Sequence, residues 1–159
     1  MDLSKLNTND WLISGGAIAF LISIFLPWYG IDEVFGEFNN SGSEYLLTGW
    51  LPLALLIIAF VLVVLPKLAD GVNLPDEIGP LSRAQAALAA AGVAAVLVVL
   101  RLIIPSDNIG SVDADVDLSR KYGLFLALLA VIAAAAGAFL NMKSSEDTAG
   151  PSSAPPTPF

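Results

Sequence analysis

Long apolar stretches, nearly free of charge, alternate along this chain with short polar connections, and the stretches fall at about 11–29, 45–66, 82–104 and 122–142. Each approaches the roughly 20 apolar residues that a helix needs to cross the hydrocarbon core of a bilayer. Soluble domains rarely carry even one such run, so the pattern predicts an all-α fold, a four-helix transmembrane bundle over residues 1–143 with a disordered C-terminal tail over 144–159.

The ends of the stretches carry local signals of their own. Trp11 and Trp28-Tyr29 bracket the first as aromatic interfacial anchors, separated by about 26 Å of helix. It reads as a retained span, because Lys5 is offset by Asp2 and Asp10 and no small-x-small cleavage site follows. Tyr45 and Trp50 anchor the second stretch, in which Pro52 either kinks the helix or occupies its first turn. The third opens on Ser82-Arg83-Ala84-Gln85, a capping-box pattern, and stops before Pro105. Tyr122 anchors the fourth, which Arg120-Lys121 and Lys143 flank. The connections at 30–44, 67–81 and 105–121 are too short to enclose a core. After Lys143 the Ser/Pro-rich sequence lacks the apolar surface to offset its ordering entropy, which predicts disorder.

Composition narrows the chemistry. Hydrophobic residues make up 56% of the chain and charged residues only 14%, so the bilayer is the expected principal solvent and partner. The chain has neither cysteine nor histidine, which removes thiol nucleophiles, disulfides and the commonest general base and zinc ligand. No cofactor, metal site or catalytic group is expected. The formal charge is −8 and the 7 Lys and Arg residues are scattered, which argues against nucleic acid as a partner and against a polybasic lipid-binding segment.

The connection at 30–44 contains acidic residues but no Lys or Arg, so the positive-inside rule places it outside and both termini in the cytoplasm. On that assignment Lys5, Lys67, Arg83 and Lys143 lie inside, against Arg101, Arg120 and Lys121 outside.

Small residues recur every fourth position: Gly15, Ala19 and Ser23; Ala87, Ala91 and Ala95; Ala130, Ala134 and Ala138. Such ribbons let helix backbones approach closely, chiefly within the bundle, and on spare faces against a second copy or a larger membrane complex. Arg101 interrupts an apolar run about 6 Å of helix before Pro105, which suits a snorkelling interfacial anchor; the alternative is an interior charge facing Glu44 or an outer-loop aspartate. Asp113, Asp115 and Asp117 resemble the opening of a calcium loop, but Leu118 and Leu124 occupy the positions of its glycine and its bidentate glutamate. A solvated acidic loop is the simpler reading. In the tail, Thr148 after Glu146-Asp147 is a candidate phosphorylation site, and Pro155-Pro156-Thr157-Pro158 favours an extended docking conformation.

Phe25-Leu26-Pro27-Trp28-Tyr29, an acidic connection, Gly49-Trp50, two Ala-rich helices and a Pro/Ser tail together resemble the small four-span integral membrane proteins of actinobacteria. Most members of that group have no assigned activity. The resemblance implies a bacterial plasma membrane protein and transfers no catalytic residue. The expected function is therefore non-enzymatic, that of a small accessory or scaffold subunit in a cell-envelope complex; the alternative is a transport component that forms a pathway for an apolar or small neutral solute.

Overall fold

The computed structural model describes residues 3–33, 36–69, 71–104 and 119–148. The described chain is mostly helical, but its first helix is shorter than the sequence pattern implies. Helix α1 spans Thr8–Ile24, and its C-cap is Phe25. Residue 26 precedes Pro27, where ring crowding disfavours the helical region, so the chain turns into strand β1, Pro27–Glu33. Trp28 and Tyr29 thus belong to a strand, where aromatic side chains are favoured, and not to the end of a membrane helix. Strand β2, Gly36–Ser41, returns antiparallel beside β1.

A 3-10 turn at Gly42–Glu44 and a π-helical turn at Leu46–Trp50 lead into helix α2, Leu51–Val63. Pro52 occupies the first turn of α2, where its missing N–H costs nothing, and the wide turn ahead of it accommodates the ring. A break at Val64 separates α2 from the short helix α3, Leu65–Leu68, which has Pro66 in its own first turn. Strands β3, Glu77–Ile78, and β4, Leu81–Ser82, form a minimal hairpin whose turn contains Gly79 at φ +62°.

Helix α4, Arg83–Ile103, starts with the expected capping box: the Gln85 backbone N–H donates to Ser82 Oγ, and the Ser82 N–H donates to Gln85 Oε1 at 3.0 Å. Strand β5, Ser119–Arg120, pairs with β1 and completes a three-stranded sheet in the order β2-β1-β5. Helix α5 runs Tyr122–Thr148. It passes Lys143 without stopping, so residues 144–148, expected to be disordered, are helical. Ser144, Ser145 and Thr148 each donate a side-chain hydrogen bond to the carbonyl four residues back, so their hydroxyls are satisfied within the helix. The rest of the expected tail, with Pro155–Pro158, lies outside the described residues, as do Asp113, Asp115 and Asp117.

Three helical stretches are long and apolar enough to cross a membrane: Leu46–Val63, Arg83–Ile103 and Tyr122–Thr148. Helix α1 is a shorter apolar helix, about 26 Å long for its 17 residues. Packing runs α1 against α5, α5 against α4, α4 against α2 and α2 against α1. The interior is built from Ile13, Phe20, Leu56, Val98, Leu124 and Val131, with buried alanines of α4 and α5 filling the spaces where helices come closest.

Two glycines mark a close approach of α1 to α5. A Cβ on Gly16 would fall 2.6 Å from the Ala130 carbonyl oxygen, and one on Gly137 would fall 2.6 Å from the Asn9 carbonyl oxygen. Only glycine permits this spacing at both levels.

Candidate functional site

The expected helix-packing residues divide by face. Ser23, Ala87, Ala91, Ala130, Ala134 and Ala138 are buried, while Ala19 and Ala95 are half-buried against the core. Gly15 is exposed, and a Cβ on it would meet nothing within 4 Å. The glycine that α5 requires is its neighbour Gly16. Because α1 is apolar on all sides, its sequence marks no packing face, and of the ribbon beginning at Gly15 only Ser23 is fully buried.

The expected interfacial anchors also divide. Trp11, Trp50 and Tyr122 are exposed near helix ends. Trp28, Tyr29, Tyr45 and Arg101 are buried, which corrects the reading of them as interfacial groups. They form one cluster at the sheet end of the molecule. The Trp28 ring stacks on Tyr45 at 6.3 Å between centroids, meets Phe20 edge-on at 6.1 Å, and donates Nε1–H to the Ser23 carbonyl oxygen at 2.8 Å. That carbonyl, in the last turn of α1, also accepts the Leu26 backbone N–H at 3.0 Å, so the indole packs the core and adds a second donor at the end of the helix.

Arg101 does not snorkel. Its guanidinium carbon lies 3.9 Å from the Tyr45 ring centroid and 4.9 Å from that of Tyr29, which places the cation against the electron-rich faces of two rings. The Tyr29 hydroxyl donates to the Arg101 carbonyl oxygen, and Arg120 Nε–H donates to the Leu102 carbonyl oxygen at 3.0 Å. These contacts dock the sheet onto the C-terminal end of α4, where a cation also complements the helix dipole. Glu44, one of the acids that the alternative reading sets opposite Arg101, is exposed and accepts the Ser41 backbone N–H at 3.3 Å.

At the other end a second polar centre forms around Asp10, which is fully buried. Lys67 Nζ donates to Asp10 Oδ1 at 2.7 Å and Oδ2 at 2.9 Å, and Asn141 Nδ2 donates to Oδ1 at 3.1 Å. The Asn7 backbone N–H, at the start of α1, donates to Oδ2 at 2.9 Å. One carboxylate therefore ties together the beginning of α1, helix α3 and the last third of α5. Sequence reasoning treats Asp10 only as a charge offsetting Lys5. Its position three residues after Asn7, at the start of an apolar run, is a capping signal that could have singled it out, but its lysine lies 57 positions away.

A cavity of 460 Å³ opens beside this centre. Its walls include the α1 cap Asn7 and Asn9 in the first turn of α1, Lys67 of α3, Arg83 at the start of α4, and Asn141 and Ser145 of α5. We refer to it as the vestibule. Arg83 is held on one side by the β3–β4 hairpin, through its backbone N–H to the Asp76 carbonyl oxygen at 2.9 Å and an ion pair of 3.6 Å with the Asp76 carboxylate.

Comparison with protein families, curated proteins and solved structures finds no match to this chain. What the site can do must come from its own geometry. Among the described residues no group of three or more Asp and Glu side chains is placed to hold a metal ion. The vestibule instead concentrates hydrogen-bond donors and two cations, and the sheet end buries an arginine among aromatic rings. Both arrangements suit recognition and rigid positioning.

Proposed function

We propose that the chain is a four-span integral membrane protein of a cell envelope, with α1 as the first and shortest span, that serves as a non-enzymatic accessory or scaffold subunit of a larger membrane complex. The carrying observation is the contrast between a closely packed interior and an apolar exterior. Large hydrophobic side chains stand exposed along the helices, among them Ile18, Ile22, Ile57, Val96, Leu129 and Ile132. Water would make such a surface aggregate, whereas lipid or a membrane partner covers it without cost.

The interior supports positioning over conduction. Phe20, Leu56, Val98, Leu124 and Val131 occupy the centre with the small residues of α4 and α5 between them, and the buried polar side chains Asp10, Ser14, Ser23 and Arg101 lie on α1 and at the end of α4. A transport pathway would need polar groups lining a shared interior, so the transport reading requires several copies to surround one. The lysine and arginine distribution favours cytoplasmic termini, which puts the vestibule on the cytoplasmic face and the sheet outside.

Purification of the full chain in a mild detergent followed by native mass spectrometry tests the reading. A complex with a larger membrane protein is the expected result. A monodisperse monomer from native membranes would overturn the subunit role, and a closed homo-oligomer with measurable solute flux in vesicles would favour transport.

A further inference from the structure

We propose that the vestibule is a binding site for a singly charged phosphodiester group, held between Lys67 and Arg83. The proposal does not depend on the scaffold reading, since it concerns only the local chemistry of one cavity.

The site is built by tertiary structure. Lys67 comes from α3 and Arg83 from the first position of α4, and both line a cavity whose volume falls within the roughly 300–1,000 Å³ usual for small-molecule sites. Their side chains retain 33% and 32% exposure, so both can be reached from the cavity. An ammonium carries three donors, and the contacts of Lys67 with Asp10 leave capacity for another acceptor. A guanidinium carries five, of which the 3.6 Å approach to Asp76 makes weak use. Asn7, Asn9 and Asn141 add amide groups to the same walls.

Arg83 also stands where a helix disfavours it. The positive end of the α4 dipole meets a cation at the first helical position, an arrangement that an anion in the cavity would relieve. The only acid that now answers Arg83 in a described ion pair is Asp76, which is 93% exposed and can swing into water at little cost.

Charge selects the ligand class. Asp76 itself lines the cavity; once its exposed carboxylate swings out to water, the remaining charges are Lys67, Arg83 and the buried Asp10 carboxylate that pairs with Lys67, which leaves one net positive charge. A phosphodiester carries one negative charge and offers two acceptor oxygens, matching both the charge and the two donors. Dianions fit less well, because Glu77, Glu146 and Asp147 are exposed at the same end of the molecule. A lipid headgroup and a soluble glycerophosphodiester present this same chemistry.

The test uses the full chain, delipidated in a neutral maltoside detergent. Glycerophosphoglycerol is titrated calorimetrically as the soluble probe, and native mass spectrometry follows retention of phosphatidylglycerol against a galactolipid that lacks phosphate. Binding of at least one phosphodiester form is expected, with inorganic phosphate weaker. Arg83→Gln should weaken binding about tenfold, the value of a charge-assisted hydrogen bond, and Asp76→Asn should strengthen it. Retention of the lipid without binding of the soluble probe assigns the headgroup as the source; binding of both assigns a site open to free ligands. No binding of either form overturns the proposal, as does native affinity in a folded Arg83→Gln variant. Should that variant fail to fold, unchanged or weaker binding by Asp76→Asn overturns it instead.

Discussion

Two adjacent glycines in α1 have opposite roles. A side chain on Gly15 enters open space, whereas one on Gly16 collides with the backbone of α5 at Ala130. Gly16→Leu should therefore lower stability by about 3 kcal/mol or prevent folding, since overpacking against a backbone has no flexible side chain to yield. Gly15→Leu should melt within a degree or two of the parent in the same detergent, an estimate that follows from the small effects of open surface positions. Equal melting of the two variants would refute the α1–α5 contact. Asp10 supports a second expectation at this scale. Asp10→Asn leaves Lys67 without its counter-charge in a partly buried setting, and about 3 kcal/mol should be lost. Adding Lys67→Met should restore part of that loss, because the double variant removes the unpaired cation; a purely additive loss in chemical unfolding would show that the two residues are not coupled.

At the scale of elements, the sheet is attached to the helices through few groups. Strand β1 delivers Trp28 to the end of α1 and Tyr29 to the end of α4, while Lys121 donates its backbone N–H to the Trp28 carbonyl oxygen at 2.8 Å and ties β1 to the junction of β5 and α5. Arg101 between Tyr29 and Tyr45 is the contact most sensitive to shape, since a planar guanidinium can stack on rings where an ammonium cannot. Arg101→Lys should cost about 1–2 kcal/mol. Its signature is local: hydrogen exchange should quicken in β1 and β5 while the amides in the middle of α1 and α5 keep their protection. Uniform quickening across all helices would mean that Arg101 supports the whole core and not the docking of the sheet.

For the whole molecule, the two polar centres lie at opposite ends of the helices, and their separation gives the chain a direction. Asp10, Lys67, Arg83 and Asn141 mark one end, and the sheet with Arg101 and Arg120 marks the other. Reporter fusions after Asn40 and Gly71 should report opposite sides, with Asn40 outside and Gly71 in the cytoplasm. A cytoplasmic signal at Asn40 would invert the orientation and turn the vestibule outward. Signals on the same side at both positions would remove the α2 crossing altogether.

The placement of the helices was largely legible in the sequence, because apolar length, Pro52, and the Ser82–Gln85 cap act within a few residues of themselves. Local chemistry of this kind survives in any fold. Partners were not legible, and α1 shows why: a helix apolar all round can present any face, so only packing against α5 decided that Gly16 and not Gly15 touches it. The same holds for Trp28 and Tyr29, whose aromatic character suits an interface or a strand alike until Pro27 and the pairing with Asn40 and Arg120 make the choice for the chain around them. Arg101 near a helix end reads as a snorkelling cation, and its burial depends on two rings from distant segments. Lys67 and Arg83 are sixteen positions apart in a chain of net negative charge. Their meeting in one cavity is a property of tertiary structure alone, since charge scattered along a sequence becomes a site only when folding brings it together.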